Sequence, residues 1–123
     1  MARILIAEDD DAIRALVTRA LGEDGHELTV TSDGAQALDA LQRRNGAFDL
    51  LLADVKMPVM DGVALALAAG HAHPEMPIML MTGYADQRER THGLDALLHD
   101  VIAKPFSLAQ IKGAVKEALL HRR

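Results

Sequence analysis

The sequence predicts an α/β fold in which helices cover both faces of a five-stranded parallel sheet. Short apolar runs alternate with segments of helical periodicity along the chain. The runs at residues 48–53 and 77–82 contain a single charged residue between them, as expected of strands buried on both faces of a sheet. The length of 123 residues fits one compact domain. We therefore expect one doubly wound domain over residues 1–123, with five helices and right-handed crossovers.

The first predicted unit is a strand followed by a helix. Residues 3–7 are largely apolar and form the strand. Asp10 or Asp11 caps the helix, because a carboxylate there accepts hydrogen bonds from the free N–H groups of the first turn. Gly22 and Gly25 end it. The apolar face of this helix consists of Ile13, Leu16, Val17, Ala20 and Leu21.

The second predicted unit repeats this order. Residues 26–31 alternate polar and apolar side chains, which indicates a strand with one exposed face. Ser32 is the expected N-cap of a second helix. The turn at residues 45–46, Asn-Gly, then returns the chain to the sheet. The apolar stripe of the second helix consists of Ala35, Leu38 and Leu41.

The third and fourth strands are the most apolar segments of the chain. Residues 48–53 predict a strand that ends just before Asp54. A helix is expected at about residues 62–72, ending before Pro74. Residues 77–82 predict the fourth strand, and its methionines are expected to fill the core.

The last predicted elements are a helix, a short strand and a closing helix. Residues 85–99 predict the fourth helix, which Gly93 makes short or irregular because glycine has a low helix propensity. Residues 101–103 form the fifth strand, and Ser107 caps the closing helix. The apolar face of the closing helix consists of Leu108, Ile111, Val115, Ala118 and Leu119.

Composition excludes several classes of function. The formal net charge is -5, and the chain has no tryptophan, one tyrosine and two phenylalanines, which argues against a nucleic-acid-binding surface. Cysteine is absent, so thiolate chemistry and disulfides are excluded. No apolar run approaches the roughly 20 residues that a bilayer requires. The first residues read as a strand rather than a signal peptide, so we expect no membrane partner and a cytoplasmic location.

Polar residues follow four of the five predicted strands, namely Glu8 and Asp9, Asp54, Thr82 with Gly83, and Lys104. Because the carboxyl ends of parallel strands meet at one edge, these side chains are expected to lie close together. Each of them is also a common turn or cap residue when taken alone. Three crowded carboxylates repel each other unless a cation intervenes, and Mg²⁺ is the cation that oxygen ligands favour.

This set of residues matches the needs of phosphoryl transfer. Asp54 is the candidate nucleophile, and an aspartyl phosphate is the expected product. Lys104, the Thr82 hydroxyl and a backbone N–H near Gly83 are expected to bind the phosphoryl oxygens.

Four segments resemble the receiver domains of bacterial two-component response regulators, in order and spacing. They are residues 4–10 (ILIAEDD), 52–62 (LADVKMPVMDG), 81–83 (MTG) and 103–106 (AKPF). The resemblance extends over essentially the whole chain and is closest in form to stand-alone, CheY-like receivers. It implies a flavodoxin-like sheet with strand order 2-1-3-4-5 and a signalling protein rather than a turnover enzyme.

The resemblance also implies a role for individual residues. Asp54 is the phosphoacceptor, Asp9 a direct Mg²⁺ ligand, and Glu8 an acidic ligand acting through water. The remaining residues so implied are Lys56, whose main-chain carbonyl completes the metal site, Thr82 and Lys104 at the phosphoryl group, and Pro105, whose peptide bond is often cis.

The partners implied by the resemblance are a phosphohistidine donor and a downstream protein. The donor is a sensor histidine kinase or a histidine phosphotransfer protein. The downstream target binds the face formed by the fourth helix, the fifth strand and the closing helix. This face includes Arg88, Arg90, Val101, Lys112 and Lys116.

Two positions leave alternatives open. Val101 occupies the place where receivers usually have a switching aromatic residue, so a pseudo-receiver that binds partners without phosphorylation is the alternative function. Tyr84 either shields the phosphoryl group and senses Thr82, or is a surface ring without a role. A phosphatase with an aspartate nucleophile is a third class, but Lys56 stands where that class requires a second aspartate.

Overall fold

A computed structural model describes residues 2–44, 47–83, 91, 93–94 and 96–120 of the protein. The described strands form one parallel sheet of order β2-β1-β3-β4-β5, which confirms the predicted order. The strands are β1 Arg3–Ala7, β2 Glu27–Thr31, β3 Leu50–Asp54, β4 Ile78–Thr82 and β5 Asp100–Ala103. The described helices are α1 Asp11–Glu23, α2 Gly34–Arg43, α3 Gly62–Ala72 and α4 Leu108–Leu120.

The register of the sheet places the carboxyl ends of the central strands side by side. Ala7 of β1 pairs with Ala53 of β3, one residue before Asp54. Asp54 pairs in turn with Met81, one residue before Thr82 at the end of β4. The residues that follow these strands therefore lie on one edge of the sheet.

Two apolar layers cover the sheet, one on each face. Alternate side chains of β3 divide between them, with Leu51 in the layer that contains α2 and α3, and Leu52 in the layer that contains α1 and α4. Met79 and Met81 are fully buried in the second layer, which confirms the prediction that they fill the core. Each fully buried side chain of this size contributes about 1.5–3 kcal/mol.

Side-chain caps fix the helix starts, and one of them differs from the prediction. Asp10 Oδ1 accepts a hydrogen bond from the Ile13 N–H at 3.0 Å, and Ser107 Oγ accepts one from the Gln110 N–H at 3.1 Å, as expected. The expected cap Ser32 is wrong for α2, because the Asp33 carboxylate accepts the hydrogen bond from the Gln36 N–H at 2.8 Å. The Ser32 hydroxyl bonds the Gln36 side chain instead, at 3.1 Å.

The predicted fourth helix at residues 85–99 lies mostly outside the described residues. Its described members, residues 91, 93–94 and 96–99, form turns and irregular chain, with Gly93 at φ +86°. The described part of the chain therefore contains four of the five predicted helices. None of these helices combines the length and the apolar character needed to cross a lipid bilayer.

Candidate functional site

Three carboxylates meet at the carboxyl edge of the sheet. Asp54 ends β3 and is 5% exposed, Glu8 follows β1 and is fully buried, and Asp9 is exposed. One oxygen atom from each carboxylate lies within 4.8 Å of the other two. The predicted acidic group is therefore assembled in the fold, from segments that lie far apart in the sequence.

Lys104 supplies the positive charge of this site. Its Nζ donates a hydrogen bond to Glu8 Oε1 at 2.6 Å and lies 3.1 Å from Asp54 Oδ1. Its backbone N–H donates to the Thr82 carbonyl at 2.7 Å, which ties the end of β5 to the end of β4. The Lys104–Pro105 peptide bond is cis, as the resemblance implies.

Both carboxylate oxygens and the backbone N–H of Glu8 form hydrogen bonds. In addition to the bond from Lys104, its Oε2 accepts a hydrogen bond from the Asp10 N–H at 3.1 Å. Its backbone N–H donates to the Thr31 carbonyl at 3.1 Å. Burial raises the pKa of Glu8 from 4.5 to about 7, and the nearby Asp54 charge adds to this effect, while the hydrogen bond from Lys104 opposes it.

The pKa of Lys104 is also raised, which favours the charged form of the lysine. Burial disfavours its charged form, but the hydrogen bond to Glu8 and the charges of Asp54 and Glu8 together hold its pKa above the ordinary value. Lys104 therefore stays protonated at neutral pH and places a positive charge between the carboxylates of Glu8 and Asp54.

The raised pKa of Glu8 predicts a pH-dependent stability in metal-free buffer. Above pH 4.5 the unfolded chain loses the Glu8 proton first, so the contribution of Glu8 to stability is lost as pH rises toward 7. A shift of this size corresponds to about 3 kcal/mol of unfolding free energy. Denaturant titrations from pH 4.5 to 7.5 should show the wild type losing stability relative to Glu8→Gln. Parallel profiles for the two proteins would contradict the prediction, since every other titrating group is shared.

The acidic group fits a hard cation such as Mg²⁺. Asp54 Oδ1 is buried, and although Lys104 lies near it, this oxygen meets no donor at hydrogen-bonding geometry among the described residues. A buried carboxylate oxygen without such a donor beside the exposed Asp9 carboxylate is a suitable ligand pair for a cation that prefers oxygen. The donor set therefore matches the expected ion.

A cavity of about 810 Å³ opens above these groups. Its polar lining includes Asp9, Asp54, Lys56, Gly83 and Lys104. Its apolar lining consists of Ile13, Leu16, Met57, Pro58, Pro105 and Phe106. The nucleophile candidate and the candidate cation ligands therefore face a space that a small phosphorylated group can enter.

The segment between β3 and α3 is held tightly under Asp54. The Gly62 N–H donates to the Val55 carbonyl at 2.8 Å, and a Cβ at Gly62 would lie only 2.0 Å from the Asp54 carbonyl oxygen. Val59 has φ +68° and is 85% exposed, although a β-branched residue rarely adopts a positive φ. This close approach of backbone to backbone fixes where Asp54 lies.

The comparisons with known proteins agree with this geometry. The family model described as response regulator receiver domain matches residues 4–116. The chain belongs to this family. Receiver domains are signalling modules rather than turnover enzymes, and they typically bind Mg²⁺ at an acidic pocket.

This receiver domain has relatives of different lengths. It is 36% identical over 120 residues to the response regulator receiver protein CpdR of Brucella abortus, covering 98% of each chain. It is also 36% identical over 119 residues to the sensor kinase CckA of the same organism, where 96% of this chain matches 12% of the kinase. A crystal structure of a CheY-like receiver domain protein from Methanospirillum hungatei superimposes with a TM-score of 0.85 at 30% identity, covering 97% of this chain and 94% of that one.

Not every predicted site residue of the receiver domain joins the cluster. Val101 is half-buried in β5 and packs against the apolar layer that contains α2 and α3. Thr82 is buried at the end of β4, and Gly83 lines the cavity. Tyr84, like Arg88 and Arg90 of the expected output face, lies outside the described residues.

Sequence reasoning missed two contacts to Glu8. The Asp10 N–H binds its carboxylate, and the Arg14 guanidinium binds its carbonyl oxygen at 3.0 Å. Asp10 was predicted only as a helix cap, and Arg14 had no predicted role. The only hint in the sequence is that Arg14 lies three residues after Asp11 on one helical face.

Proposed function

We propose that this receiver domain accepts a phosphoryl group from a phosphohistidine onto Asp54 and signals through phosphorylation-dependent protein binding. One observation supports this most strongly. Lys104 Nζ lies between the carboxylates of Glu8 and Asp54, and Asp54 Oδ1 lies beside it without an aligned donor, below an open cavity. A nucleophilic oxygen and a phosphate-binding cation are thus adjacent.

In the proposed transfer, a carboxylate oxygen of Asp54 attacks the phosphorus of the phosphohistidine in line with the leaving nitrogen. An O–P bond forms and the N–P bond breaks. The electron pair of the N–P bond returns to the imidazole nitrogen, which then binds a proton. The product is an aspartyl phosphate, which water hydrolyses later.

The neighbouring residues bind and orient the phosphoryl group. The Lys104 ammonium neutralises charge on one phosphoryl oxygen, while the Thr82 hydroxyl and a backbone N–H near Gly83 donate to others. We assign Asp9, Asp54 and the main-chain carbonyl of Lys56 as Mg²⁺ ligands, with Glu8 acting through water. Bound Mg²⁺ would supply the positive charge that offsets the repulsion among the carboxylates and the incoming phosphoryl oxygens.

The proposed phosphodonor is a sensor histidine kinase or a histidine phosphotransfer protein. The match to the receiver protein CpdR, which covers 98% of each chain, supports a stand-alone, single-domain form. The match within CckA shows that the same kind of domain also occurs in a protein named as a sensor kinase.

The proposed output surface is the face that contains β5 and α4. Lys112 on this face already binds Glu23 of α1 at 2.8 Å, and His99 binds Glu117 of α4 at 2.6 Å. A target that binds here therefore has to compete with these side-chain contacts inside the domain. We infer that phosphorylation changes the packing of this face rather than exposing new charge alone.

A pseudo-receiver remains the second candidate function, and Val101 favours it. The side chain packs in an apolar layer and has no aromatic ring to report the state of Thr82. Partner capture separates the two functions. A pseudo-receiver binds the same partners whether or not Asp54 is phosphorylated, whereas a phosphorylation switch binds them differently.

Phosphorylation is expected to require Mg²⁺. With acetyl phosphate as donor, intact-mass measurements should show incorporation that falls about 100-fold or more when a chelator removes divalent cations, because a metal ion contributes several kcal/mol of charge stabilisation. Adding excess Mg²⁺ to the chelated sample should restore the rate. Equal incorporation in chelator and in Mg²⁺ would contradict the assigned role of the acidic group.

A further inference from the structure

The side chain of Arg14 in α1 contacts the acidic group at the backbone of Glu8 rather than at a carboxylate of the group. Its Nη1 donates a hydrogen bond to the Glu8 carbonyl oxygen at 3.0 Å. Its Nη2 forms an ion pair with Asp11 in the first turn of the same helix. The planar guanidinium thus donates through one nitrogen to a backbone carbonyl and pairs through another with a side-chain carboxylate, a geometry that a single ammonium group does not reproduce.

The carbonyl that Arg14 binds belongs to the peptide that joins Glu8 to Asp9. A peptide group is planar, so fixing the direction of its C=O also fixes the direction of the following N–Cα bond. The other side of Glu8 is held by its N–H bond to the Thr31 carbonyl at 3.1 Å, and its carboxylate by Lys104 and the Asp10 N–H. Asp9, which is exposed, follows this peptide directly, so the direction of the peptide sets where the Asp9 Cα lies.

We propose that Arg14 is a positioning residue that holds the Glu8–Asp9 peptide so that the Asp9 carboxylate faces a divalent cation next to Asp54. The proposal rests on the cation site of the proposed function. It assigns Arg14 no contact with the ion or with the phosphoryl group.

The direction in which cation affinity changes when Arg14 is removed distinguishes a positioning role from a simple charge effect. Arg14 contributes a positive charge close to three carboxylates. If its charge alone mattered, removing it would make the site more negative and would tighten cation binding. If Arg14 orients the peptide, removing it loosens Asp9 and weakens cation binding.

The test is a calorimetric titration of the metal-free protein with Mg²⁺, without any phosphodonor. Arg14→Ala should weaken binding by about 10-fold or more, the usual cost of losing a residue that orients a metal ligand. Arg14→Lys keeps the charge but has one nitrogen in place of the two that contact Glu8 and Asp11, so it should restore part of the loss. Arg19→Ala is the matched control, because it removes the same charge from the same helix and costs only an exposed pair with Glu23 at 3.3 Å.

Unchanged or tighter binding in a folded Arg14→Ala variant would overturn the positioning role. If Arg14→Ala does not fold, as circular dichroism would show, the decision passes to Arg14→Lys, which should weaken binding less than tenfold but measurably. Wild-type affinity in Arg14→Lys would overturn the proposal. A wild-type protein that binds no Mg²⁺ would instead overturn the proposed cation site itself.

Discussion

Asp54→Asn is expected to lose phosphoryl incorporation down to the background of a protein without an acceptor. A neutral amide is a poor nucleophile, and asparagine also removes one of the three carboxylates expected to bind the cation. The fold should remain intact. The Asp54 charge helps to raise the pKa of Glu8, so its removal relieves repulsion between two buried groups.

The control for this variant is Asp33→Asn. Asp33 caps α2, and asparagine is as good an N-cap as aspartate, so stability should change little. Both variants and the wild type would be incubated with acetyl phosphate and Mg²⁺ and compared by intact mass. Full incorporation in Asp54→Asn would mean that another residue accepts the phosphoryl group.

Gly62→Ala is expected to destabilise the protein by about 3 kcal/mol or more, at the upper end of the cost of overpacking. The new Cβ would lie 2.0 Å from the Asp54 carbonyl oxygen, so backbone would have to move rather than a flexible side chain. Because the displaced atoms belong to Asp54 itself, the phosphorylation rate should fall together with stability.

Gly113→Ala is the matched control for this effect. Gly113 lies inside α4, and among the described residues a Cβ there would meet no atom within 4 Å beyond its chain neighbours and the backbone of its own helix. Alanine should therefore stabilise the protein by about 0.5–1 kcal/mol through its higher helix propensity. Chemical denaturation of the three proteins measures both effects. A Gly62→Ala variant as stable as the wild type would show that the loop relaxes without cost.

The sequence predicted the sheet because its signals are local. Apolar runs such as residues 77–82 are typical of buried strands wherever they pack, and turn residues mark their ends. The cap of α2 was misplaced by one residue, since serine and aspartate stand side by side and both are good caps. Such boundaries depend on contacts of the folded chain, here the bond between Ser32 and Gln36.

The sequence was sufficient to predict which residues form the candidate site. It was not sufficient to predict the pKa values of those residues. The positions of Glu8, Asp54 and Lys104 at strand ends follow from the fold class. The pKa of Glu8 depends on complete burial and on a lysine that lies 96 residues away in the sequence. The spacing of Asp11 and Arg14 hints at their ion pair, but the sequence does not indicate which backbone carbonyl Arg14 binds, because every residue offers the same carbonyl.

The most direct test of the proposed function is to identify the phosphorylated residue chemically. The wild-type protein would be phosphorylated in Mg²⁺ and then treated with borohydride, which reduces an aspartyl phosphate to homoserine. Peptide mass spectrometry should find homoserine at position 54 in the phosphorylated sample and aspartate in the sample without donor. A phosphoryl group on another residue, or an unmodified Asp54 in a folded protein that binds Mg²⁺, would contradict the assignment of Asp54 as the acceptor.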